Sequence, residues 1–142
     1  MATSSDPTQS APSAQRLNLL TRTVIGAAVE VHRHLGPGLL ESLYEACLAH
    51  ELLQAGLEIG RQKPLPIRYK GRLLDGGLRL DLLIEGCLIV ELKSIDRIER
   101  VHLSQLMSYL RLTDCRLGLL INFNVPRLVE GVRRVANAFP ET

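Results

Sequence analysis

Residues 78–93 read LRLDLLIEGCLIVELK, and they restrict the fold more than any other stretch of the chain. They form two apolar runs around a Glu85-Gly86 turn, and the second run has too few polar residues for a strand with one wet face. Such a strand must be covered on both sides. Yet it ends in Glu91 and Lys93, which the two-residue alternation of a strand puts on one face, and the first run carries Asp81 in its middle. Ionised groups among apolar neighbours are costly unless they are paired or hold a metal.

The remaining sequence supplies the covering layers. From Arg16 to Leu35, Leu17, Leu20, Val24, Ala27, Ala28, Val31 and Leu35 recur at helical spacing, and Gly36-Pro37-Gly38 stops the helix. A second helix is expected from Leu39 to Gln54, with Gly56 just past its end and with Glu41, Tyr44, Glu45 and Leu48 on one face. Leu57 to Tyr69 loses the helical period. Pro64 and Pro66 mark it as an edge strand or extended segment, and Lys70-Gly71-Arg72 as a turn. After Lys93, Ser94 to Asp96 can cap a helix from about Arg97 to Leu112, on which His102, Gln105 and Tyr109 share one side. Arg116 to Phe123 is another buried strand. Leu128 to Ala136 fits a short helix, although Gly131 weakens it and Val132 to Val135 also reads as a strand. The expected class is α/β (α+β), a mixed β-sheet flanked by helices in the order ααβββαβ plus a short C-terminal element.

At 142 residues the chain suits one domain, drawn here as 16–138, with a Ser/Thr/Pro/Ala-rich disordered lead over 1–15 and a tail over 139–142. The lead has no basic or apolar region of the kind a signal peptide needs, and no apolar run is long enough for a transmembrane helix. A cytoplasmic protein without membrane contact is expected. Cys47, Cys87 and Cys115 lack metal or disulfide spacing and read as free thiols. The net charge of +2 permits nucleic-acid binding without arguing for it. A groove left incomplete by such sparse charge would be completed by a second copy or a protein partner. Only Lys63, Lys70 and Lys93 are lysines among 17 basic residues, which sets Lys93 apart from ordinary surface filling.

Asp81 followed by Glu91-x-Lys93 on the next strand has the make-up of a Mg²⁺-dependent phosphodiesterase site. Two carboxylates suit a hard cation, and an ammonium stabilises charge or orients water. Gly38, Glu41 and Tyr44 spell G-x-x-E-x-x-Y. With Arg79 to Leu83, Val90 to Lys93, His102, Gln105 and Tyr109, and Gly118 to Phe123, they make five ordered blocks that resemble the GxxExxY proteins of the PD-(D/E)XK nuclease-like superfamily. The resemblance spans Leu17 to Val135. It implies a restriction-endonuclease-like core, with Asp81, Glu91 and Glu41 around Mg²⁺ (or Mn²⁺) and Lys93 as the electrostatic catalyst. Gln105, Tyr109, Tyr44 and His102 would line the substrate cleft. The implied activity is hydrolysis of DNA or RNA by metal-activated water. A nuclease-fold binding or regulatory module without turnover is the alternative. Leu80 stands where the superfamily name has its proline.

One internal condition decides whether this site can exist. In an antiparallel pair, opposed residues share a face, so Asp81 meets Glu91 only if paired residue numbers sum to an even value. A two-residue Glu85-Gly86 loop gives an odd sum and separates the carboxylates. The expected connection therefore has three residues, Ile84-Glu85-Gly86 or Glu85-Gly86-Cys87, or a bulge of equal effect.

Overall fold

The computed structural model describes residues 11–141. Helix α1 (Ala14–Leu35) is capped by Ser13, whose hydroxyl accepts the Arg16 N–H at 3.1 Å, and Gly36 ends it at φ +71°. It takes Ala14 and Gln15 from the stretch assigned to the lead, while residues 1–10 lie outside those described. Helix α2 (Glu41–Gln54) follows, then β1 (Ile59–Pro64), β2 (Ile67–Tyr69), β3 (Arg72–Leu74), β4 (Arg79–Ile84) and β5 (Leu88–Lys93). Helix α3 (Arg100–Thr113) crosses over to β6 (Leu117–Asn122), and a 3-10 turn (Leu128–Gly131) leads into β7 (Val132–Ala136). Among the described residues no helix is long and apolar enough to cross a membrane.

The main sheet has the order β1-β4-β5-β6-β7. The β5–β6 pair joined through α3 is parallel and the other three pairs are antiparallel, so this is the mixed sheet that the sequence leads one to expect. Every residue of β6 is buried, and every residue of β5 except Lys93. Their two faces serve two cores. Leu17, Leu20 and Val24 of α1 and Leu48 and Leu52 of α2 pack with Leu82, Val90 and Leu119 on one side. Leu106, Tyr109 and Leu110 of α3 pack with Ile89 and Leu120 on the other. Each such side chain contributes about 1.5–3 kcal/mol relative to exposure.

Four expectations change. The extended segment before Tyr69 divides at Leu65-Pro66, and its second part turns back through Lys70-Gly71 onto β3 as a separate two-stranded sheet. Helix α2 starts at Glu41 rather than Leu39. Helix α3 starts at Arg100 rather than Arg97, because Glu99 and His102 cap it reciprocally and Ser94 to Asp96 belong to the preceding loop. The C-terminal piece is a strand, not a helix. It pairs with β6 from Leu117↔Ala136 to Ile121↔Val132, completing the edge of the sheet.

Gly131 makes that arrangement possible. A Cβ at this position would lie 2.1 Å from the main-chain oxygen of Asn122, where no flexible side chain can give way. Gly131→Ala is expected to cost about 2 kcal/mol or more by overpacking. Gly26→Ala meets nothing within 4 Å inside α1 and is expected to gain about 0.5–1 kcal/mol from the smaller entropy loss. Urea denaturation of the two variants checks the pair, and equal stabilities would contradict it.

Candidate functional site

Strands β4 and β5 pair only from Ile84↔Leu88 to Leu82↔Val90. Beyond that point β4 stays with β1 as far as Pro64↔Arg79, while β5 stays with β6 as far as Lys93↔Asn122. The sheet therefore forks at Asp81 and Glu91, and the two carboxylates do there what main-chain carbonyls do elsewhere. The Asp81 N–H donates to Glu91 Oε1 at 3.1 Å, and the Leu92 N–H donates to Asp81 Oδ2 at 2.8 Å. Leu82 and Ile84 belong to the α1–α2 core but Leu80 to the α3 core, so β4 changes sides at the fork.

The register that brings the carboxylates together comes from the turn. Its pairs sum to an even number, and the connection is the three-residue Glu85-Gly86-Cys87. Glu85 and Gly86 have φ of +52° and +68°, and the Cys87 N–H closes the turn on Ile84 O at 3.0 Å. Glu85 is not a glycine, so its left-handed backbone needs support. Arg16 supplies it through a 2.8 Å ion pair, and the Glu58 N–H through a hydrogen bond to the same carboxylate.

On the other prong, Gln62 interrupts the β1–β4 ladder opposite Asp81, with φ +49°. Its Nε2 donates to Asp81 Oδ1 at 3.1 Å and to Glu45 Oε1 at 2.6 Å. Glu45 is only 7% exposed, and its other oxygen accepts the Arg61 Nε–H at 3.2 Å. Both oxygens of Asp81 are thus held, one by Gln62 and one by the Leu92 amide. Neither Gln62 nor Glu45 belongs to the set expected from sequence. Glu45 shares a helical face with Glu41 and Tyr44, which is the only trace of it, and a left-handed glutamine inside a strand leaves none.

Lys93 ends β5 half-exposed, and among the described residues it forms no ion pair. The loop after it is pinned from two sides. Glu41, the first residue of α2, accepts the Ser94 N–H on Oε2 at 3.1 Å, and Ser94 Oγ donates to Leu39 O at 2.6 Å. Buried Asn122 accepts the Ile95 N–H and returns a bond to Ile95 O at 3.0 Å.

Tyr109 packs against the sheet, 6% exposed, and Gln105 stands beside it at the surface. Tyr44 must be corrected as a cleft residue. It is fully buried, stacks on Phe123 at 4.3 Å, donates its hydroxyl hydrogen to Gly36 O and accepts the Leu39 N–H at 3.2 Å. It fixes the loop that leads into Glu41, the first residue of α2. His102 spends Nδ1 on the Glu99 N–H at 2.8 Å and is a helix cap.

The electrostatics concentrate on Glu91. It is 7% exposed, and burial followed by the charge of Asp81 pushes its pKa up to about 8. Glu41 adds to the rise, while the Asp81 amide and Lys93 oppose it. The Tyr109 hydroxyl is also raised, first by burial and then by Glu91 and Asp81, with a hydrogen bond from Gln105 acting the other way. Two carboxylates at a buried fork match the hard-oxygen donor chemistry of a divalent cation, whose charge would offset what raises Glu91. Glu41 is close enough to act on Glu91 but is turned to Ser94. Among the described residues no three His, Cys, Asp or Glu side chains converge as a cation cage.

The sequence profile of the PD-(D/E)XK nuclease superfamily matches residues 18–135. No curated protein and no solved structure matches the chain.

Two outcomes are expected. Tyr44→Phe leaves Gly36 O and the Leu39 N–H without their partner and should cost about 1–3 kcal/mol, read by thermal unfolding. Because the folded pKa of Glu91 lies above its ordinary 4.5, its stabilising proton is fully present below about 4.5 and is lost as pH rises through about 8. In the presence of a chelator, the wild type should lose stability across that window and Glu91→Gln should lose less. Parallel pH profiles would contradict the assignment.

Proposed function

The chain belongs to the PD-(D/E)XK nuclease superfamily, and from that membership we propose that it hydrolyses phosphodiester bonds of DNA or RNA with a divalent cation, Mg²⁺ or Mn²⁺. The observation that carries this reading is the fork, which sets Asp81 and Glu91 against each other where the β4–β5 pairing ends, with Lys93 one alternation further along. Asp81 and Glu91 would hold the cation, and Glu41 would join them by releasing the Ser94 amide. When bound, the cation supplies Lewis-acid stabilisation of a phosphate and a source of nucleophilic water.

The protein's own groups do the rest. Gln62 and the Leu92 amide fix both oxygens of Asp81, so the carboxylate is oriented before any ligand arrives. Lys93 has three donors and no carboxylate partner among the described residues, which suits it to neutralise charge that grows on a phosphate. Exposed Gln105 would meet the substrate, with buried Tyr109 packed behind it. Proton and cation compete for Glu91, so cation affinity should rise with pH toward about 8.

A module of the same fold without turnover is favoured by one observation, the engagement of the carboxylates by main-chain amides with no third donor converging. Cleavage assays on single- and double-stranded DNA and RNA with Mg²⁺ or Mn²⁺ separate the two. Hydrolysis that falls about 100-fold or more in Asp81→Asn and in Lys93→Ala, with circular dichroism unchanged, is expected for the enzyme. No cleavage, together with no Mn²⁺ heat in calorimetry, would leave the silent module.

A further inference from the structure

We propose that the β2–β3 hairpin, with its root on β1 and β4, is an arm that grips the phosphate backbone of a nucleic-acid strand lying at the fork. This rests on the reading of the fork as a phosphodiester site. Between Ile59 and Leu80 the chain carries Arg61, Lys63, Arg68, Lys70, Arg72 and Arg79 against one acid, Asp75. The other 120 residues then hold eleven basic side chains and fourteen acidic ones, so the net charge of +2 conceals a strongly positive segment on an otherwise acidic protein. All six are exposed, and among the described residues only Arg61 reaches a carboxylate, Glu45. Two of the three lysines lie here, and the third is Lys93.

The arm leaves the sheet beside the site. Lys63↔Leu80 and Pro64↔Arg79 are the last β1–β4 pairs, directly after Gln62, and buried Leu65 anchors the base through its N–H to Leu78 O at 3.0 Å. The register gives the hairpin two different faces. Arg68 is opposite Leu73, and Tyr69 is opposite Arg72. Tyr69 is 58% exposed with the Lys70 ammonium 5.5 Å from its ring, an aromatic surface next to cations of the kind on which an unpaired base stacks. Lys and Arg free of carboxylates recognise phosphates, and each contact made releases counterions.

Fluorescence anisotropy of the full chain in a chelator, with labelled mixed-sequence DNA and RNA, single-stranded and duplex, tests the arm apart from turnover. R68Q/K70Q/R72Q is compared with R22Q/R111Q/R127Q, which removes the same charge from exposed sites elsewhere. The arm variant should bind about 10-fold or more weaker and show a salt dependence shallower by about two to three contacts. The control should stay within about 2-fold. Preference among the four probes identifies the nucleic acid. Equal losses in both variants, or wild-type affinity in the arm variant, overturn the arm while leaving the hydrolase reading to the Asp81→Asn cleavage result. Absence of binding by the wild type to every probe likewise overturns the arm, and the hydrolase reading then stands or falls with the cleavage assay. Binding through the arm in the chelator, with no cleavage in the Mg²⁺ and Mn²⁺ assays, supports the arm and removes the hydrolase reading.

Discussion

The exchange in which the Asp81 amide donates to the Glu91 carboxylate and the Leu92 amide to the Asp81 carboxylate is what the site depends on. A sheet that splits leaves unpaired N–H groups in its interior, and each such group left without a partner costs about 1–3 kcal/mol. Here the Asp81 and Leu92 amides find acceptors in the opposite strand's side chain. The fork is therefore held open by the two acids that sit in it. Removing either carboxylate does more than delete a ligand, since it also orphans an amide. An isosteric amide substitution keeps the acceptor and isolates the charge.

A second set of restraints converges on that centre from both flanks. Tyr44 closes the loop before α2, which seats Glu41 on the Ser94 amide. Asn122 ties the loop after β5, at Ile95, to the end of β6. Glu45 orients Gln62, which orients Asp81. The G-x-x-E-x-x-Y signature thus gathers two unlike tasks. Its glutamate holds the Ser94 amide just past β5, and its tyrosine, stacked on Phe123 and sealed from solvent, fixes the loop before α2.

The central strands, their burial on both faces and the parity of the turn at Gly86 are legible in the sequence because they follow from alternation and from the cost of buried charge. The branching of β4 and β5 is not, since no pattern of side chains announces where a ladder ends. Gln62 is invisible for the same reason: its φ of +49° is enforced by Glu45 and Asp81, which are remote along the chain. The C-terminal strand is ambiguous in the sequence, where Gly131 reads only as a weak helix residue. Its contact with Asn122 O is a tertiary fact. The division between a basic arm and an acidic remainder lay in the sequence, hidden by averaging the charge over the whole chain.

The outer strand β1 has a further consequence. An open sheet edge invites strand addition by another chain, and proteins blunt such edges with charge, proline or irregular backbone. β1 has all three in four consecutive residues: Arg61, the left-handed Gln62, Lys63 and Pro64. Gln62, which orients Asp81, is thus also one of the residues that make this edge a poor template for amyloid-like pairing, so one irregular residue serves both the fork and the protection of the sheet margin.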